Sequence, residues 1–408
     1  MLWGLFLAMW RLGFFFHEMG FGLLSIFLPL YIVSIERVNG LFYLGIISAI
    51  ALFSAIPASF FWGYVCDKTR RYKRYILLSF FASTMLLYLF TFTAAVSLLI
   101  VLYAVLSIMH VAHEAPKNVL IAELYSHQDW ERSFAFYEGF TEVGWLIGLL
   151  LGFVLSTFGV GPVNMLLVCS GLNLVAFVLS LLLVKDPALI FERGLVSIEK
   201  TLNFASRGMF LASKIMDGVS NGEKLKKENM GAFGAGLVLF SLATSILFTP
   251  MPIFVSNVVQ GAGLPEGVVF AIFVLNSGGA IVGYAFAGSR SSESSGKRHL
   301  GKVVVLRGFL TFLLIVTLQI TTYSVGFVTG ILILMGFAYA MFLVYVLSLS
   351  MELIPAGKAG LFNVLIGTGG AIGSFLGPFI AQTFGFFTVF MTTLGLFIMT
   401  YVAFKLFR

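Results

Sequence analysis

Twelve runs of about 20 mostly apolar residues follow one another along this chain of 408 residues. That length carries a helix across the hydrocarbon core of a bilayer. The first six runs lie at about 8–34, 41–64, 75–94, 97–122, 133–157 and 163–184, and the second six at about 231–256, 267–288, 303–320, 324–350, 359–381 and 385–405. They show no period-two alternation and far exceed the roughly 10 residues of a barrel strand. The expectation is an all-α membrane protein of twelve transmembrane helices. Only 11% of the residues are charged, against roughly 25% in a soluble domain, so little surface is meant for water.

The basic residues set the orientation. Lys68, Arg70, Arg71, Lys73 and Arg74 lie between spans two and three, eight Lys or Arg lie in 185–229, and Arg290, Lys297, Arg298 and Lys302 lie between spans eight and nine. The loops on the other side hold Arg37 alone. That asymmetry places the basic loops and both termini in the cytoplasm, with the chain multi-pass in the plasma membrane and its first span uncleaved. The net charge of +7 then reads as topology, and nucleic acid is not an expected partner. Cys66 and Cys169 lie at different depths, so neither a disulfide nor a metal-ligand spacing is indicated.

One long loop divides the chain into an N-terminal bundle (1–184), a linker (185–229) and a C-terminal bundle (230–408). Within the linker Lys200, Arg207 and Lys214 recur every seven residues, while Leu195, Ile198, Leu202, Met209, Met216 and Val219 follow a helical period. This reads as an amphipathic helix on the membrane surface. The bundles are related. A shift of 225 residues carries Gly144, Gly148 and Gly152 onto Gly369, Gly373 and Gly377, and a shift of 229 carries Glu123 onto Glu352. Small residues at this spacing let helix backbones approach closely. A parallel repeat of two six-helix bundles, related by a pseudo-two-fold axis, is a transporter plan with the substrate site between the halves.

Charge inside the membrane is the second constraint. Glu18, Glu114, Lys117, Glu138 and Glu142 all fall within spans, and each costs about 2.5–3.5 kcal/mol at the bilayer centre if left unpaired and dry. In the stretch HVAHEAPK, residues His110, His113 or Glu114, and Lys117 share one helix face, and Glu138 and Glu142 share another. At 1.5 Å per residue, Lys117 matches Glu138 at about 9 Å inward, and Glu114 approaches Glu142 at about 13–15 Å. His17 and Glu18 lie at similar depth in span one. Pro116 removes one backbone hydrogen bond and is expected to kink span four beside this cluster. The second half offers Asn276, Gln319, Tyr339, Tyr345 and Asn363, which bond hydrogen but carry no charge, while Arg307 is expected at the cytoplasmic edge, snorkelling outward.

Carboxylates crowded in a low dielectric exchange protons near neutral pH, and histidine titrates there unaided. Glu18, Glu114, Glu138, Glu142, His17 and His113 are therefore candidate proton-coupling residues. Lys117, His110, Asn276, Tyr339 and Asn363 are candidate substrate contacts. His110 and His113 face one way, but no third ligand is dictated, so no metal and no cofactor are expected. No nucleophile or Gly-rich phosphate loop accompanies these groups, which argues against an enzyme. Lys117 with Glu138 also reads as a plain structural ion pair, and His17 and His110 as satisfied interior histidines.

The chain resembles the major facilitator superfamily. The twelve spans, the long central loop, the repeat of the halves and the motif Gly63-Tyr64-Val65-Cys66-Asp67-Lys68, followed by Arg71, Lys73 and Arg74, carry the resemblance. The family's loop reads Gly-x-x-x-Asp-Arg/Lys-x-Gly-Arg/Lys-Arg/Lys, and here Arg70 stands where its glycine would be. The resemblance implies a cytoplasmic gate of Gly63, Asp67, Lys68 and Arg71, extended by Glu123 and Arg132. Asp67 would face the positive N-terminus of span eleven. It also implies a monomer that carries a small solute by alternating access. Four interior acids against one base favour proton-driven efflux of organic cations or drug-like compounds. Against that, span five lacks the Gly-Pro pair of the family's antiporters, and Gly377-Pro378 occurs in span eleven instead. Proton-driven uptake of a sugar, amino acid or carboxylate is the alternative, with a non-transporting receptor more remote.

Overall fold

A computed structural model of the chain describes residues 9–124, 130–186, 230–289, 296–319, 324–353 and 359–407. The first six spans are Arg11–Ile35, Gly40–Thr69, Tyr72–Phe90, Val96–Leu124, Trp130–Thr157 and Pro162–Leu183. Span seven is Met230–Phe248 followed by Met251–Gly261. Spans eight to ten are Gly267–Ser289, Gly296–Thr317 and Ser324–Leu353. The last helical stretch, Ala359–Phe407, holds two spans, because Gly385 breaks it with φ 79° and ψ 170°. Only glycine adopts that conformation without strain. The architecture is all-helical and twelve-spanned. Residues 187–229, with the amphipathic linker helix expected there, lie outside the described residues.

Odd spans run one way and even spans the other. One end of the molecule carries the basic turn Lys68–Arg74 and is called the basic end below; the other carries Glu36, Thr157, Gly267 and Gly385.

The repeat is visible in the packing. Gly144 and Gly148 of span five lie against the carbonyls of Phe15 and Met19 in span one; a Cβ at Gly144 would stand 2.6 Å from the Phe15 oxygen. In the second half Gly369, Gly373 and Gly377 of span eleven lie against the carbonyls of Val238, Leu242 and Ile246 in span seven. Two glycines of the first triplet and all three of the second thus serve the corresponding helix pair in each half. Lipid tails give apolar side chains no reason to leave them, so close backbone approach is what holds such helices together.

Two seams join the halves. Span two packs on span eleven, where Gly45 meets Phe375 and Pro378, Gly367 meets Ile56, and the Gln382 amide donates to the Val38 carbonyl at 3.0 Å. Span five packs on span eight, where Gly152 meets Phe270 and Gly267 meets Thr157. Both seams run from the end opposite the basic turn to about mid-depth. Nearer the basic end, Phe60, Phe61 and Tyr64 of span two are exposed.

Candidate functional site

Span four is broken where its charged residues begin. Pro116 has no N–H to give the Ala112 carbonyl, and its ring crowds that turn. The chain answers with a single 3-10 turn, Val111–His113, between Val96–His110 and Glu114–Leu124. In that turn the Glu114 N–H bonds the Val111 carbonyl rather than that of His110. The freed His110 carbonyl accepts a hydrogen bond from the Ser79 hydroxyl at 3.1 Å. Trp62 and Ser107 anchor the span on the other side, through Trp62 Nε1 to the Ile108 carbonyl and Ser107 Oγ to the Ala51 carbonyl, both at 2.8 Å.

The break presents a connected polar network. Lys117 Nζ lies 2.6 Å from Glu114 and 3.7 Å from Glu138 of span five. Its ammonium also stands over the Tyr137 ring at 5.4 Å. The lysine is nearly buried, whereas Glu114 and Glu138 are 41% and 38% exposed, so the carboxylates face open space. His113 Nε2 lies 3.3 Å from Glu114, and its Nδ1 lies 3.1 Å from Ser79 Oγ. Ser79 Oγ thus bridges the His110 carbonyl and His113 Nδ1. Glu18 stands within electrostatic reach of Glu114, Lys117, Glu138 and Glu142. Among the described residues it has no hydrogen-bond or ion-pair partner.

A second chain enters from span six. His17 Nδ1 donates to Asn173 Oδ1 at 2.6 Å, since the Asn173 amide nitrogen already donates to the Cys169 carbonyl. His17 Nε2 is thereby left as the acceptor for His110 Nδ1 at 3.0 Å. His17, His110 and His113 bring their ring nitrogens within 4.8 Å of one another. A cation there would first have to break the His17–His110 bond. Of the three, His17 and His110 are hydrogen-bonded to each other, while His113 contacts Ser79 and Glu114.

Glu142 does not join this network by contact. It lies one helical turn deeper than Glu138, and its Oε1 accepts a hydrogen bond from Ser277 Oγ of span eight at 2.5 Å. One of the four interior acids therefore bonds the opposite half. Sequence reasoning missed Ser277, which is one residue beyond the candidate Asn276. The Asn276 amide itself donates to the Leu332 carbonyl at 2.6 Å, tying span eight to span ten.

Arg307 corrects an expectation. It does not snorkel at an edge: it is 0% exposed and sits midway along Gly296–Thr317. The apolar run of span nine begins near 303, but its helix begins about two turns earlier, through Gly296-Lys297-Arg298-His299, and that extension moves Arg307 to mid-depth. Its guanidinium lies among the rings of Phe240, Phe248, Tyr339 and Phe397, at 5.2–5.5 Å from their centroids. The interior charge is thus not confined to the first half.

The sequence profile of the Major Facilitator Superfamily matches residues 12–378. The chain belongs to that family. Its fold is similar to that of a mutant of the nucleoside transporter NupG, with TM-score 0.70 at 13% identity, over 99% of this chain and 100% of that one. It is equally similar to the human organic anion transporter MFSD10 (TETRAN), with TM-score 0.69 at 14% identity, over 98% of each chain. A search of curated proteins returns no match. This superfamily member is a membrane transporter of some solute, not an enzyme.

The superfamily's loop after span two keeps its turn here without the glycine. Arg70 takes the left-handed conformation, φ 54° and ψ 28°, and its N–H bonds the Cys66 carbonyl at 2.8 Å. Asp67, Lys68 and Arg71 are exposed, and among the described residues none of them forms an ion pair. A Cβ at Gly63 would meet nothing within 4 Å. The side chains of Glu123, Arg132 and Asn363 lie outside the described residues, as does the turn preceding span eleven.

Proposed function

We propose that the protein is a proton-coupled secondary transporter of a small solute, working by alternating access between two six-helix bundles. The hydrogen bond from Ser277 to Glu142 carries this reading. It joins the halves at mid-depth, at the inner limit of the span-five and span-eight seam. An ionised Glu142 accepts the serine proton, whereas a protonated carboxyl brings its own donor and no longer requires that partner. Proton loading at Glu142 therefore acts on the contact that must part when the halves rock. The network of Lys117, Glu114, Glu138, His113 and Glu18 lies between this point and the basic end, and would pass protons to and from it.

With the basic loops and both termini on the cytoplasmic face of a plasma membrane, the closed seams seal the outer side and the glutamates open to the cytoplasm. The exposed side chains of Asp67, Lys68 and Arg71 fit that inward-open state. Two directions of coupling each have an observation behind them. Efflux of an organic cation is favoured by Glu18, a carboxylate without a partner among the described residues, whose proton an arriving cation would displace. Uptake of an anionic solute with a proton is favoured by Arg307. Lys117, held between two glutamates, serves to steady them and not to greet the cargo.

Reconstitution in liposomes with an imposed pH gradient, screened against cations, sugars, amino acids and carboxylates, tests the reading. Glu142→Gln should bind solute but lose the response to the gradient. Full pH-driven transport by Glu142→Gln and by Glu114→Gln would end the assignment of the proton site.

A further inference from the structure

Arg307 presents a chemical problem that the transport reading leaves unsolved. Its Nε and both terminal nitrogens are buried and have no hydrogen-bond partner among the described residues. A guanidinium offers five N–H donors in a fixed plane and cannot shed its charge at any working pH. Each buried donor left unmet costs about 1–3 kcal/mol. The surrounding rings offset part of this, since a desolvated cation over a ring face gains about 2 kcal/mol. Rings satisfy charge, however, and not the in-plane N–H groups. What completes a planar fork of donors is a planar pair of acceptor oxygens.

No described carboxylate reaches it, and Glu18, the interior one without a partner among the described residues, lies beside Glu114, Lys117, Glu138 and Glu142. Glu114 and Glu138 are engaged by Lys117, and Glu142 by Ser277. Among the described residues nothing completes the fork, which leaves room for a complement from outside the chain. Tyr339, whose ring borders the guanidinium, is 39% exposed. It lies within electrostatic reach of both Arg307 and Glu142. Its hydroxyl supplies one more donor. Phe240, Phe248 and Phe397 supply apolar walls.

We infer that Arg307 and Tyr339 form an anion subsite that takes the oxyanion, carboxylate or phosphate, of a solute with an apolar body. This subsite rests on the transport reading above, and it is tested without a pH gradient so that the two fail separately. Thermal unfolding of the full chain in detergent is followed with benzoate, phenyl phosphate, benzamide and benzylamine.

The expected result is a rise in Tm with benzoate or phenyl phosphate, whichever oxyanion the subsite reads, and none with the neutral or cationic analogues. Arg307→Met should abolish that response. Without ligand it should melt no lower than wild type, because an apolar side chain of similar volume replaces an unpaired buried charge. Arg307→Lys keeps the charge but loses the fork, and should weaken anion binding about tenfold. The inference is overturned if neither anion stabilises the wild type, or if Arg307→Met keeps the response. It is equally overturned if the Met variant melts lower or does not fold, or if Arg307→Lys binds as well as wild type. Intact anion binding with no proton-driven flux would count against the proton coupling alone.

Discussion

The interiors of the two halves differ more than their backbones do. In both, spaced glycines seat one helix on the carbonyls of another, at Gly144 and Gly148 and again at Gly369, Gly373 and Gly377. Yet the first half encloses an acid–base network in which lysine, histidines and carboxylates contact one another. The second encloses one guanidinium, ringed by aromatic faces and lacking a hydrogen-bond partner among the described residues. A repeat preserves what backbone contact requires. The cavity-facing positions between those contacts are free to diverge.

The strongest way to break this comparison is to attack what the halves share. Gly148→Leu drives a side chain into the Met19 carbonyl, and Gly373→Leu drives one into that of Leu242. Each should cost about 3 kcal/mol or more, because backbone cannot yield as a flexible side chain can. Equal drops in thermal stability support the shared role, whereas tolerance in one half alone would refute it.

The next effect separates the interiors. Lys117→Met leaves Glu114 and Glu138 facing each other without their cation. The loss should be about 1–2 kcal/mol, less than for a fully buried pair because both carboxylates are partly hydrated. Adding Glu114→Gln should restore most of it. Arg307→Met should move stability the other way or not at all. If both substitutions destabilise alike, the contrast between a paired and an unpaired cation fails.

The smallest effect is at Arg70. A non-glycine residue in the left-handed region carries strain of about 1 kcal/mol. Arg70→Val should lower stability, since a branched side chain tolerates that backbone worst, while Arg70→Gly should keep the turn. Unfolding midpoints that rank Val at or above Gly would show that the turn is not left-handed in the folded protein.

Much of the N-terminal site was legible because it obeys helix arithmetic. His110, His113, Glu114 and Lys117 fall on one face by spacing alone, and the depth match of Lys117 with Glu138 follows from two antiparallel helices of known rise. Pro116 announced the break beside them. The depth match of Glu142 with Glu114 did not become a contact, because Glu142 reaches across to Ser277. The positions of His17 against Asn173 and of Ser79 against His113 had no signal in the chain, since each joins residues far apart in sequence. Arg307 was hidden differently. Its burial depends on where the helix starts, and polar residues there blur the edge of an apolar run.

Hydropathy, charge asymmetry and the recurrence of glycines by themselves determined that this chain spans a membrane twelve times as two related bundles. Each is a local property, enforced by the cost of placing an unsatisfied backbone or a charge in hydrocarbon. Which charges find partners, and which are left without one among the described residues, was decided only by the tertiary structure. That choice turns on ångström-scale approach between helices, which spacing along one helix cannot encode.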